Sequence, residues 1–240
     1  MEHLTRELDA LLSELPNEEE LRVRLESLHS VYPFNEYEYI ISTLLGVDTL
    51  TLDQYYELRD RYIDRNCFLH LFDLTSRRFG DTWAYSQLKS IVPEISKPSR
   101  VLDPSYQSGE YDAYLDGIRI EIKSSRAVDR YSAASMPEKA LASDSEKRFM
   151  MNFQQIKADL CDVFVWIAVW RDRIRYWVLS AQEVKSNPYY STGQHRGNVG
   201  EGQLNVRDDN IQDFDQFEAK PSELANDIRV AFLRQSTTNR

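Results

Sequence analysis

The sequence predicts an α/β (α+β) protein in which strands and helices share one core behind an N-terminal helical subdomain. Three observations predict it. Leucines recur at helical spacing through the first 75 residues; Asp116-Gly117 stands between two runs of alternating polar and apolar residues; and 163–170 is a near-continuous run of β-branched and aromatic residues. These are the patterns of amphipathic helices, of a tight β-hairpin and of a strand buried on both faces.

In chain order, Leu4, Leu8, Leu11, Leu12 and Leu15 form one helical stripe that Pro16 ends, and Asn17 ahead of Glu18-Glu19-Glu20 caps the next, through Leu21, Leu25 and Leu28. A third helix follows Pro33 to Gly46. Thr51 or Asp53 caps a longer one through Tyr56, Leu58 and Ile63. Residues 1–75 thus read as an acidic helical subdomain and 76–240 as the functional core. Asp81 is expected to cap a helix through Trp83, Leu88 and Ile91 that Pro93 ends. A short strand is expected at Val101-Leu102, a turn at Asp103-Pro104, a helix over 137–159, and a second hairpin where 171–173 turns the buried strand back into 174–179.

Asp-Gly between alternating runs selects a two-residue type I′ turn, which fixes the register: Leu115 opposite Ile118, Tyr114 opposite Arg119, Ala113 opposite Ile120, Asp112 opposite Glu121. Period two then puts Tyr111, Ala113, Leu115, Ile118, Ile120 and Ile122 on one apolar face. Glu110, Asp112, Tyr114, Arg119, Glu121 and Lys123 fall on the other. Facing residues have Cβ atoms about 4.5 to 5.5 Å apart, so Asp112 and Glu121 repel unless a cation lies between them. Oxygen-only ligands suit Mg²⁺ or Mn²⁺. The plain alternative is an amphipathic hairpin whose polar face lies in water.

An Asp on one strand followed by Glu-x-Lys on the next resembles the signature of the PD-(D/E)xK nucleases, carried by Asp112, Glu121 and Lys123, with Tyr111 where the family often has Pro. The order of elements over 81–170 is also similar, as is the segment 153–166, which resembles bacterial type II restriction endonucleases. The resemblance implies a restriction-endonuclease-like core with a central mixed β-sheet flanked by helices. It implies Mg²⁺ (or Mn²⁺) held by Asp112, Glu121 and the Ile122 carbonyl, and Lys123 as the residue that orients or helps deprotonate the attacking water. Glu110, Gln154 and Gln155 are expected to support the site, the two glutamines from the 137–159 helix. Asp81 and Glu94 flank the preceding helix, where the family often carries a further acid. Ser124, Ser125 and Arg126, directly behind the motif, are expected at DNA. The implied activity is cleavage of double-stranded DNA to 5′-phosphate and 3′-hydroxyl ends, by a homodimer where the target is palindromic. Two alternatives stay open: a structure-specific repair or recombination nuclease of the same superfamily, and a non-catalytic DNA- or protein-binding module.

Four of the eight glycines fall between Gly193 and Gly202, among Gln194, His195, Arg196 and Asn198. Such side chains read base edges and glycine permits close approach, so this is a second DNA-binding expectation beside that of a plain surface loop.

The net charge of −10 argues against phosphate binding only until it is located. Residues 1–60 hold 14 acids and 4 bases, whereas 61–200 hold 17 acids and 20 bases. Two cysteines without a CxxC pair indicate neither a disulfide framework nor a zinc site, and the scattered histidines form no metal motif. No apolar run is long enough for a bilayer, and no basic, apolar leader opens the chain, so a cytoplasmic protein away from membranes is expected.

Overall fold

The computed structural model describes residues 44–192 and 201–237 continuously, and positions 10, 13, 14, 16, 18, 19, 41 and 42 singly. The leucine stripe ending at Leu15 and the segment through Leu28 lie outside the described residues. Helix α1 (Leu52–Asp64) starts at Thr51, whose hydroxyl accepts from the Gln54 N–H while the Gln54 side chain accepts from the Thr51 N–H. This reciprocal pair satisfies two of the donors that a helix start leaves open. A 3₁₀ turn (Leu69–Phe72) and a π-helical turn (Arg78–Trp83) lead into α2 (Ala84–Ile91). Asp81 therefore sits inside the π-helical turn and does not cap the helix.

The strand expected at Val101-Leu102 is a turn, with Val101 92% exposed. Its reason is local. The Asp103 carboxylate accepts from the Ser105 N–H at 3.0 Å and from the Tyr111 hydroxyl at 2.9 Å, a side-chain turn that competes with extended pairing.

The principal sheet is mixed, with order β1 (Ala113–Leu115), β2 (Ile118–Arg126), β5 (Val163–Val169), β6 (Ile174–Ser180) and β9 (Glu218–Ala219). Only β2 and β5 pair in parallel. Asp162 sets their register: its carboxylate accepts from the Arg119 N–H at 2.9 Å and from Nη2 at 2.8 Å, and its own N–H donates to the Arg119 carbonyl at 2.8 Å. A second, antiparallel sheet runs β3 (Val128–Asp129), β4 (Phe149–Ile156), β8 (Gly202–Arg207), β7 (Tyr190–Thr192). A short helix, α3 (Ala181–Lys185), follows β6, and α4 (Leu224–Thr237) ends the described chain.

Strand β5 shows how the layers stack. Val163, Val165, Ile167 and Val169 pack with α2 and with Leu224, Ile228 and Ala231 of α4, whereas Phe164, Trp166 and Ala168 pack with Met151, Phe153, Leu204 and Val206 of the second sheet. Helices cover one face of the mixed sheet and a sheet covers the other. The 137–159 helix is thus replaced by turns and β4. Phe149, Met151 and Phe153 alternate with Met150, Asn152 and Gln154, a period of two, and the Trp166 and Trp177 side of the core offers a flat apolar partner to that alternation. Gly202 has its own reason to be glycine, since a Cβ there would lie 2.3 Å from the Tyr190 ring. Among the described residues no helix is long and apolar enough to cross a membrane.

Candidate active site

The hairpin turns at Asp116 (φ 51°) and Gly117 (φ 90°), the pair of positive angles a type I′ turn requires. Its register is Leu115 with Ile118, Tyr114 with Arg119 and Ala113 with Ile120. The ladder ends there. The Asp112 N–H still reaches the Ile120 carbonyl at 3.0 Å, but the chain then rotates out of the sheet. Tyr111 consequently leaves the face of Ala113 and Leu115 and packs on the opposite side against Tyr106, with ring centroids 5.1 Å apart. The expectation that Tyr111 shares the Ala113 face fails at this break.

The break places the first acid. Where β1 stops, the Ile122 N–H of β2 has no strand partner, and Asp112 Oδ2 accepts from it at 2.9 Å. A strand residue's N–H and carbonyl point to the same edge, so the Ile122 carbonyl opens on the same gap. Glu121, one residue earlier, is buried at 4% exposure. Lys123 Nζ lies 2.6 Å from Glu121 Oε1. Burial pushes the Glu121 carboxyl up to about 7, with the Asp112 charge acting in the same direction and the Lys123 ammonium opposing both. Desolvation outweighs the ion pair because a carboxylate loses more hydration than one cation restores.

These groups open into a groove of about 700 Å³. Strand β2 supplies Glu121, Lys123, Ser124 and Ser125; β4 supplies Asn152, Gln154 and Gln155; the π-helical turn supplies Phe79 and Asp81; and Asp112 and Lys157 complete it. Lys157 Nζ donates to the Gly109 carbonyl at 2.8 Å and lowers the cost of the Glu121 charge. The glutamines reach the groove from a strand, not from a helix. They do so through a β-bulge between Phe153 and Ile156, with Gln155 at φ 55°. Ser124 lines the groove with its Oγ buried and without a hydrogen-bond partner.

Arg126 also borders the groove, but its guanidinium is occupied. Nη1 donates to the carbonyls of Leu71, Phe72 and Leu74 at 3.1, 3.1 and 2.9 Å, and the group lies 4.5 Å over the Phe79 ring. Glu110 does not line the groove; its carboxylate accepts from the Gln107 N–H at 2.7 Å and closes a turn. Gln194, His195, Arg196 and Asn198 lie outside the described residues, between β7 and β8. Asn152 and Lys157 are groove residues that the sequence reading did not single out as such. The signal for Asn152 was the period-two pattern of 149–154.

The donor set fits a hard divalent cation. Asp112 and Glu121 are two carboxylates beside a backbone carbonyl, and Mg²⁺ is commonly held by one or two carboxylates with substrate phosphate and water completing its shell. Among the described residues no cluster of three His, Cys, Asp or Glu side chains is placed to hold a metal ion. Comparison with protein-family models, with curated proteins and with solved structures gave no match.

Proposed function

We propose that the chain is a Mg²⁺-dependent, site-specific endodeoxyribonuclease of the PD-(D/E)xK superfamily, with a restriction-endonuclease-like core, that acts on double-stranded DNA as a homodimer. The observation that carries this reading is the convergence of Asp112, Glu121 and Lys123 at one open groove, with Lys123 Nζ held 2.6 Å from the buried Glu121. A solvated amphipathic hairpin gives no reason for a carboxylate at 4% exposure on its polar face.

Asp112 and Glu121 are the residues that would hold Mg²⁺ (or Mn²⁺), with the Ile122 carbonyl on the same edge. The cation, when bound, polarises the scissile phosphate and lowers the pKa of a coordinated water. Asp112 is held at the groove by the Ile122 N–H, which fixes its Oδ2 at 2.9 Å. Lys123 stands beside these carboxylates, its Nζ 2.6 Å from Glu121 Oε1. Its ammonium orients the attacking water and offsets the charge that grows on the phosphoryl oxygens. Water adds to phosphorus and the P–O3′ bond breaks, leaving a 5′-phosphate and a 3′-hydroxyl.

The test is cleavage of a mixed-sequence plasmid with Mg²⁺ by the wild type, Asp112→Ala and Lys123→Ala. Discrete fragments from the wild type are expected, with a loss of about a hundred- to a thousandfold in each variant, the scale of removing one group that stabilises transition-state charge. A smear lost in both variants would retain the chemistry and remove site specificity. Intact plasmid with either cation would overturn the nuclease reading.

A further inference from the structure

We infer that the outward face of the second sheet reads adenine-bearing base pairs of DNA lying over the groove, through Gln154 of β4 and Gln203 and Asn205 of β8, which flank Asn152. The inference rests on the nuclease reading and names the specificity surface that this reading lacks.

Both strands alternate cleanly. Met151, Phe153, Leu204 and Val206 point inward and are fully buried. The outward positions are Met150, Asn152 and Gln154 on one strand and Gln203, Asn205 and Arg207 on the next, so four of six carry a carboxamide. Asn152 stands directly opposite Asn205 in the ladder. Its Nδ2 reaches Gln203 Oε1 at 3.5 Å, whereas its Oδ1 is buried and has no partner. A cluster of neutral donors and acceptors, one of them unsatisfied, is costly on a sheet face that serves only stability.

The backbone is bent where β4 borders the groove. Phe153 pairs with Leu204 but Ile156 pairs with Gly202, so Gln154 and Gln155 together oppose the single residue Gln203. That bulge leaves both glutamines exposed at the groove and holds Gln155 at φ 55°, a left-handed conformation that a non-glycine residue rarely adopts. Bulges of this kind re-aim side chains.

The chemistry selects the partner. A carboxamide presents one donor and one acceptor, which match N7 and N6 of adenine as a bidentate pair, and two strands together fit the major groove. Phosphate has no donor to match and draws cations in preference to amides. The same β4 residues, Asn152 and Gln154, border the groove that holds Asp112, Glu121 and Lys123, so bases on this face lie beside the phosphates at the site.

The test reads binding, apart from cleavage. The full chain, with Ca²⁺ replacing Mg²⁺, selects from a randomised duplex library, and the bound fraction is sequenced. The wild type is expected to enrich sequences with fixed adenines. Gln154→Ala and Asn205→Ala should each relax the preference at one adenine by about tenfold, at different positions, while affinity for unselected DNA changes by less than about threefold. Gln154 is exposed, so its variant keeps the test informative should Asn205→Ala fold poorly. Unchanged enrichment in both variants, or a wild-type preference without adenine, would overturn the inference even if plasmid cleavage by the wild type succeeds. A wild type that neither selects nor cuts DNA would overturn both readings.

Discussion

Glu121 lies under two opposed demands, burial that favours its neutral form and a neighbouring ammonium that favours its charge. Burial dominates and the group titrates at about 7. The consequence for stability has a definite sign. In the unfolded chain the carboxyl releases its proton near its ordinary value of 4.5, whereas the folded protein retains it to about 7. Between these values the unfolded state binds fewer protons, so stability falls as pH rises. A shift of this size corresponds to about 3 kcal/mol at most, at 1.36 kcal/mol per unit. Metal-free wild type should therefore lose about 2 to 3 kcal/mol relative to Glu121→Gln between pH 5 and pH 8.5. Urea denaturation of both proteins across that range measures the difference in slope, which is insensitive to the constant offset from leaving Lys123 unpaired. Parallel curves would mean that the Glu121 carboxyl already ionises at its ordinary pKa in the fold.

At the scale of elements, the end of β2 is fastened to the 69–74 segment by Arg126, whose Nη1 meets three carbonyls. Hydrogen bonds to a charged donor contribute more than neutral ones, and a buried carbonyl left without a partner costs about 1 to 3 kcal/mol. Arg126→Met is accordingly expected to lower stability by about 3 kcal/mol. It should leave the salt dependence of DNA binding unchanged, because the cation it removes was spent inside the protein. Denaturation and a salt titration of binding check the two halves, and a shallower salt slope would place Arg126 on phosphate after all. What was legible in the sequence follows a similar division between local and distant causes. Asp116-Gly117 set the hairpin register because a two-residue turn is decided by its own φ angles, and 163–170 declared a buried strand by composition. The β4 strand, the Tyr111 face and the occupation of Arg126 depend on partners outside their own segments or on where a ladder stops. The helix expectation over 137–159 failed for that reason: Met, Gln and Lys are good helix formers, and only the flat face bearing Trp166 and Trp177 makes their period of two decisive.

For the whole molecule, the proposed activity poses a problem, because one groove carries one Asp-Glu-Lys constellation while a duplex has two strands of opposite polarity. A C₂ pair solves this by symmetry, because the two-fold axis that relates the protomers also relates the strands of a palindromic site. The net charge of −10 arises in residues 1–60, whereas residues 61–200 hold 17 acids and 20 bases, so the part of the chain that bears the groove is not itself repelled by a polyanion. Two consequences follow for supercoiled plasmid cut by Mg²⁺-loaded protein. The linear product should appear with little nicked circle accumulating, because both strands are cut within one bound complex. Sedimentation of the protein on a duplex carrying the selected site should give two chains per duplex. A nicked form that accumulates first and is linearised only after rebinding, together with one chain per duplex, would reject the dimer and assign each strand to a separate encounter.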